Sequence, residues 1–181
     1  MRTTLTKMVI VALVGSAAFI GCRTATSATT TTSTEATPTI DPAVSALLTE
    51  YERSLDDTNV VGTLPLYQSR WLLATPHGST IEANDASRVP TVEKEQAWYR
   101  RLGMSSVRIL GVQQTQMGDG HHWVVHVRWG VTFERTGPRV LELPFTYVIE
   151  RVPGGARFVG VIVEANVPKE FERHLGAPLP T

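Results

Sequence analysis

The chemistry open to this chain rests on a few side chains. Cys22 is its only thiol, set in "SAAFIGCRTATSATTTTSTEAT" between an apolar run and a threonine-rich stretch. With no second cysteine it cannot close an intramolecular disulfide, and a free thiol suits an oxidising compartment poorly. Covalent modification of the thiol would remove that conflict. His121, His122 and His126 lie close together in sequence. On a strand His122 and His126 share a face but stand ~13 Å apart at ~3.3 Å per residue. Two ligands of one zinc ion each lie ~2 Å from the metal, so this pair does not chelate, and His121 points to the opposite face from His122. No metal and no cofactor is expected. Glu164 shares a strand face with Phe158 and Ile162 and is the best single candidate for an inward acid. Tyr51, Tyr67, Trp98, Tyr99, Trp129 and Tyr147 are candidates to line a pocket beside it, although plain core packing is the default for Tyr51, Trp129 and Tyr147. The glycines of "PGGA" and "GDG" sit between strand patterns and mark hairpin turns rather than a phosphate loop. No serine stands in a nucleophile-elbow context.

The elements around Cys22 give it a role. Arg2 and Lys7 precede the uncharged run Met8 to Ile20, and Gly21 and Cys22 follow. A positive end, a short apolar stretch and small junction residues make an export signal. As helix, Met8 to Ile20 would reach only ~20 Å, short of a bilayer core of about 30 Å, so cleavage is expected rather than a spanning anchor. The junction "FIGC" resembles the lipobox of bacterial lipoproteins. That resemblance implies diacylglycerol on the Cys22 thiol and cleavage between Gly21 and Cys22. Phe19 stands where leucine is more usual. Lipidation would place the exported protein on the cell membrane or the outer membrane, with several acyl chains supplying the multiple anchoring signals that stable attachment needs. Arg23 is not the aspartate that favours inner-membrane retention in some double-membrane bacteria.

Composition narrows the rest. Loss of Arg2 and Lys7 from 17 basic residues leaves 15 against 17 acids, a net charge of −2. A nucleic-acid partner would need a basic stripe, so none is expected. Residues 1–21 read as signal and 22–40 as a lipidated, Thr/Ser/Ala-rich tether too poor in apolar surface to offset its ordering entropy. Its ends would average on the order of 20–25 Å apart. Residues 41–181 have the size of one ordinary domain.

Within that domain "DPAVSALLTEYERSL" has Asp41 and Pro42 as helix start signals, with Val44, Leu47, Leu48, Tyr51 and Leu55 on one face. A short helix or turn is expected through "TLPLYQS". "RWLLATPHGSTIEAN" reads as a hairpin. "VPTVEKEQAWYRRLGM" reads as a second helix capped by Thr91, with Glu93 to Glu95 near its positive end and Gly103 as its stop. Four strands follow. In "HHWVVHVRWGVTFER" Trp123, Val125, Val127, Trp129, Val131 and Phe133 alternate with polar residues. "VLELPFTYVIER" alternates likewise, with a bulge or bend expected at Pro144. "RFVGVIVEAN" closes the sheet, and "PKEFERHL" is a short final helix. The opposite sheet face, with His126, Arg128, Thr132, Glu134, Glu142 and Glu150, looks polar.

This α+β order, a curved antiparallel sheet wrapping about three helices, resembles the nuclear-transport-factor-2-like superfamily, also described as SnoaL-like and cystatin-like. The hairpin, the second helix and the meander from His121 to Ile162 carry the resemblance, which covers most of Asp41 to Asn166. It implies a cone whose mouth, between helices and concave sheet, is the site. Members include isomerases, dehydratases, polyketide cyclases and adaptors, so the fold alone names no activity. Two functions fit: an anchored envelope protein binding a small apolar ligand or another envelope protein without catalysis, or a cofactor-independent cone-pocket enzyme. Monomer and dimer both remain open.

Overall fold

The structure, a computed structural model, describes residues 39–57 and 59–179. Gly21, Cys22, the apolar run and the threonine-rich stretch lie outside the described residues. Among the described residues no helix is long and apolar enough to cross a membrane.

Helix α1 spans Pro42–Asp56, with the Asp41 carboxylate accepting the Ala43 N–H at 2.9 Å. Val44, Leu47 and Leu48 are buried, and Tyr51 and Leu55 pack half-buried on the same core. A 3-10 segment over Val60–Leu66 leads into β1, Tyr67–Thr75, which turns at Pro76 and His77 into β2, Gly78–Ala83. Helix α2 spans Val89–Arg101. It starts earlier than the Thr91 cap would place it. A 3-10 turn over Ala86–Arg88, held by the Asp85 side chain, feeds straight into it, and Pro90 occupies its first turn. Gly103, at φ 71°, ends it in the left-handed region that favours glycine. Strands β3 (Met104–Gln116), β4 (His122–Phe133), β5 (Gly137–Val152) and β6 (Gly155–Val163) follow, then helix α3, Val167–Leu175.

The six strands form one sheet in the order β2-β1-β6-β5-β4-β3. All pairings are antiparallel except β1 with β6, which is parallel. That pairing joins the hairpin to the end of the meander. Pro144 causes no bulge: its register with Arg128 is continuous. The β5–β6 ladder ends at Phe145–Val163, so Pro144 lies beyond it and no β6 carbonyl is denied a donor. The register shifts fall elsewhere, at Val131/Phe133 and Val148/Ile149.

The alternation in β4 sets the core. Trp123, Val125, Val127, Trp129, Val131 and Phe133 are all buried, with Leu141, Leu143, Tyr147, Ile149, Phe158 and Val161 beside them. Helix α1 lies along edge strand β3. The Val107 N–H donates to Asp56 Oδ1 at 3.0 Å and the Ile109 N–H to Glu52 Oε1 at 2.6 Å. Backbone donors that would otherwise be free for another strand are thereby satisfied by helix carboxylates.

The opposite face of the sheet is mixed rather than polar. Register places Ile81, Leu72, Gly160, Val148 and Val124 in one row across five strands. A Cβ added at Gly160 would touch the Leu72 and Val148 Cβ atoms at 3.6 and 3.5 Å, so these residues are immediate neighbours. His126, Arg128, Glu142 and Glu150 lie on either side of that row.

Candidate functional site

Two cavities lie between the helices and the inner sheet face. The first, of about 110 Å³, is lined by Tyr51 and Leu55 of α1, Tyr99 of α2, Trp129 and Val131 of β4, Phe145 and Tyr147 of β5, and Val167 and Phe171 of α3, among others. The second, of about 190 Å³, opens toward the hairpin and includes Tyr67, Trp71, Asn84, Arg88, Val92 and Glu95. Tyr51, Leu55, Tyr99 and Phe145 line both.

The first cavity offers little acid–base chemistry. Trp129 Nε1–H donates to the Tyr147 hydroxyl at 2.9 Å, and the Tyr67 hydroxyl donates to that of Tyr51 at 2.9 Å. Tyr51 meets Tyr67, Trp129, Tyr147 and Phe158 edge-on, with centroids 4.9–6.0 Å apart. Burial pushes the pKa of Tyr51, Tyr67, Tyr99 and Tyr147 above the ordinary phenol value. These hydroxyls stay protonated at neutral pH and act as hydrogen-bonding groups, not bases. Helix α3 walls this cavity. Phe171 stacks on Trp98 with centroids 5.7 Å apart and meets Phe133 edge-on at 5.1 Å. His174, buried on the same helix, has its pKa pushed down by burial and by the Arg139 guanidinium, which favours the neutral ring.

The second cavity has a charged rim. Arg88 Nη1 lies 2.5 Å from Glu82 Oε2, and the guanidinium carbon sits 5.2 Å from the Trp71 ring centroid. Asn84 Nδ2 donates to the Leu64 and Tyr67 carbonyls at 2.7 and 3.2 Å, tying the end of β2 to the 3-10 segment and β1. Glu95, an exposed residue of α2, lines this cavity. Burial pushes its pKa up, Arg88 opposes that shift and Glu82 adds to it. No hydrogen bond or ion pair to another described residue holds it.

The sequence-stated pocket residues divide. Tyr51, Tyr99, Trp129 and Tyr147 meet in the first cavity. Trp98 is one layer back, against Phe171. Glu164 lies on the outer face. The bulge opposite Val148/Ile149 puts both Phe158 and Val161 inward, so simple alternation counted from Phe158 reverses before it reaches Glu164. Its Oε1 accepts the Thr146 hydroxyl at 2.7 Å, and Thr146 Oγ1 lies 2.7 Å from His126 Nδ1. Since that hydroxyl donates to Glu164, His126 Nδ1–H donates to it in turn. The chain satisfies the buried Thr146 hydroxyl. The carboxylate that lines a cavity is instead Glu95, which sequence reading assigned to the helix dipole. Its signal was the spacing Val92, Glu95, Tyr99, Leu102, which sets Glu95 at the margin of the packed face of α2 while leaving it exposed. Among the described residues no cluster of three or more His, Cys, Asp or Glu could hold a metal ion.

No family model and no curated protein sequence matches the chain. Solved structures do match. A nuclear-transport-factor-2-like protein of unknown function from Shewanella oneidensis is 13% identical with a TM-score of 0.53, over 68% of this chain and 97% of its own. A nuclear-transport-factor-2-like protein with a cystatin-like fold from Novosphingobium aromaticivorans is 12% identical with a TM-score of 0.54, over 68% and 80%. The beta subunit of the benzoate 1,2-dioxygenase from Burkholderia mallei is 20% identical with a TM-score of 0.50, over 71% and 92%. At these identities the likeness shows the fold: a nuclear-transport-factor-2-like, cystatin-like α+β domain.

Proposed function

We propose that this nuclear-transport-factor-2-like domain binds a small, largely apolar molecule in its cone without transforming it, and that a lipid on Cys22 holds it at the envelope membrane. The observation that carries the first part is the pair of cavities, about 110 and 190 Å³, sharing Tyr51, Leu55, Tyr99 and Phe145. Apolar cavities of roughly 150 Å³ take up a benzene-sized guest. A molecule of one or two fused rings fits these. The tyrosine hydroxyls on the walls are protonated, so they position a ligand and do not deprotonate one.

Indole is the test probe. Titrated calorimetrically into the purified chain, it is expected to bind saturably. Leu55→Phe, which fills the shared wall, should weaken it at least about tenfold, or about 1.4 kcal/mol, with the melting temperature checked in parallel. Loss of saturable binding only in a variant that melts as wild type supports the site; no binding by the wild type overturns it. One observation favours a second reading, a cofactor-independent acid–base enzyme: Glu95 is an uncommitted carboxylate with a raised pKa beside Tyr99.

The anchor rests on the junction Gly21–Cys22 behind the apolar run. Cys22→Ala is expected to leave unlipidated precursor, read as failure to incorporate labelled fatty acid. A labelled, membrane-retained Cys22→Ala protein would refute lipidation at this residue. Another envelope protein remains the alternative partner, and a closed, ligand-free cone in the indole experiment would direct attention to it.

A further inference from the structure

The rim of the second cavity has a charge arrangement that selects among small molecules. It holds one carboxylate, Glu95, and one guanidinium, Arg88, whose own partner is Glu82. Arg88 is already committed: it lies 2.5 Å from Glu82, stacks over Trp71 at 5.2 Å, and keeps only 16% of its side chain exposed. A ligand carboxylate would therefore find no free cation there and would face Glu95 directly. Glu95 itself has no partner among the described residues.

The uncharged polar atoms point the same way. Both hydrogen bonds of the Asn84 amide use Nδ2, so its oxygen is left as an acceptor. Thr63 Oγ1 spends its proton on the Val60 carbonyl at 2.7 Å, leaving lone pairs. The Tyr67 ring adds an aromatic wall, while the Trp71 face is already covered by Arg88. A rim rich in acceptors matches a group with several donors and a positive charge. An ammonium has three donors and no acceptor. A neutral ligand pressed against Glu95 would remove water from a carboxylate and give nothing back.

We infer that the cone's preferred ligand, granted the small-ligand reading above, is a protonated amine on a flat apolar body, with the ring against the Tyr51, Tyr67 and Tyr99 walls and the ammonium against Glu95. The body occupies the space that indole probes, and the head group supplies the selectivity. Glu95 is thus a specificity-determining residue.

Three probes share one ring and differ in head group: indole, tryptamine and indole-3-acetate. Calorimetric titration at pH 7 of the purified chain is expected to place tryptamine at least about tenfold tighter than indole-3-acetate, with indole between them; a charge-assisted hydrogen bond to Glu95 supports a ratio of this size. Glu95→Gln should erase the difference between amine and acid. Because Glu95 is exposed, this change is not expected to unfold the domain, and an unchanged melting temperature checks that directly. If indole binds but amine and acid bind equally, or if Glu95→Gln keeps the amine preference, the inference falls and the small-ligand reading stands. If none of the three binds, both fall together.

Discussion

Phe158→Ala should lower the unfolding free energy by about 3–5 kcal/mol, the usual range for deleting a buried aromatic ring. Phe158 is fully buried on β6, with ring centroids 4.9 Å from Tyr51, 5.0 Å from Tyr67 and 5.0 Å from Tyr147. It thus joins α1, β1, β5 and β6 at one point, including the parallel β1–β6 pair. The cavity left behind would sit among rings on separate elements, which cannot all collapse into it. The loss is a large share of the about 5–15 kcal/mol that holds an ordinary domain. Urea unfolding followed by tryptophan fluorescence measures it. A loss below about 1.5 kcal/mol would mean that neighbouring rings refill the space and that the cluster is looser than its geometry indicates. Phe158→Leu, which keeps most of the volume, should recover much of the loss.

Glu52→Ala should cost about 1–3 kcal/mol, the range for leaving a partly buried donor without its acceptor. Its Oε1 accepts the Ile109 N–H at 2.6 Å, and Asp56 does the same for Val107 at 3.0 Å. Both donors lie on β3, an edge strand. Losing the carboxylate also exposes that edge, so the variant is expected to form concentration-dependent oligomers. Glu52→Gln retains a carbonyl oxygen at the same reach and should keep the chain closer to wild-type behaviour. Chemical denaturation and size-exclusion chromatography read the two effects separately. An alanine variant within about 0.5 kcal/mol of wild type, eluting unchanged, would show that water replaces Glu52 at no cost.

Much of the architecture is visible in local patterns. The strict alternation from Trp123 to Phe133 identifies both the strand and its buried face, because neighbouring side chains of a strand point to opposite sides. The spacing of Val44, Leu47 and Leu48 does the same for α1, and Asp41 marks its start. Helix α3 is recognisable from "PKEFERHL" alone. The tyrosine and tryptophan wall of the first cavity is also legible, since Tyr51, Trp129 and Tyr147 each fall on the apolar face of a well-patterned element.

The site's charges are less legible, and Glu164 and Glu95 show why. Glu164 reads as inward because alternation is counted from Phe158; one bulge between them reverses the face. That bulge depends on how β6 meets β5, a relation between residues far apart in the chain. Glu95 reads as a dipole-matching acid, although its helical spacing with Val92 and Leu102 already set it beside the packed face. Its importance comes from Arg88 being taken by Glu82, and that pairing requires β2 and the start of α2 to be folded together.

The sequence by itself determined the order of the elements, the buried faces of α1 and β4, the α+β class and the expectation of a lipid-bearing Cys22. Each of these rests on residues within one turn, one strand or one short segment. Only the tertiary structure decided the parallel β1–β6 pairing, the apolar outer row through Leu72, Gly160, Val148 and Val124, the side on which Glu164 lies, and the unpaired state of Glu95. Those depend on register between distant strands and on which charge reaches which partner. Strand register is set by packing across the whole sheet, and a shift of one residue turns every following side chain to the other face.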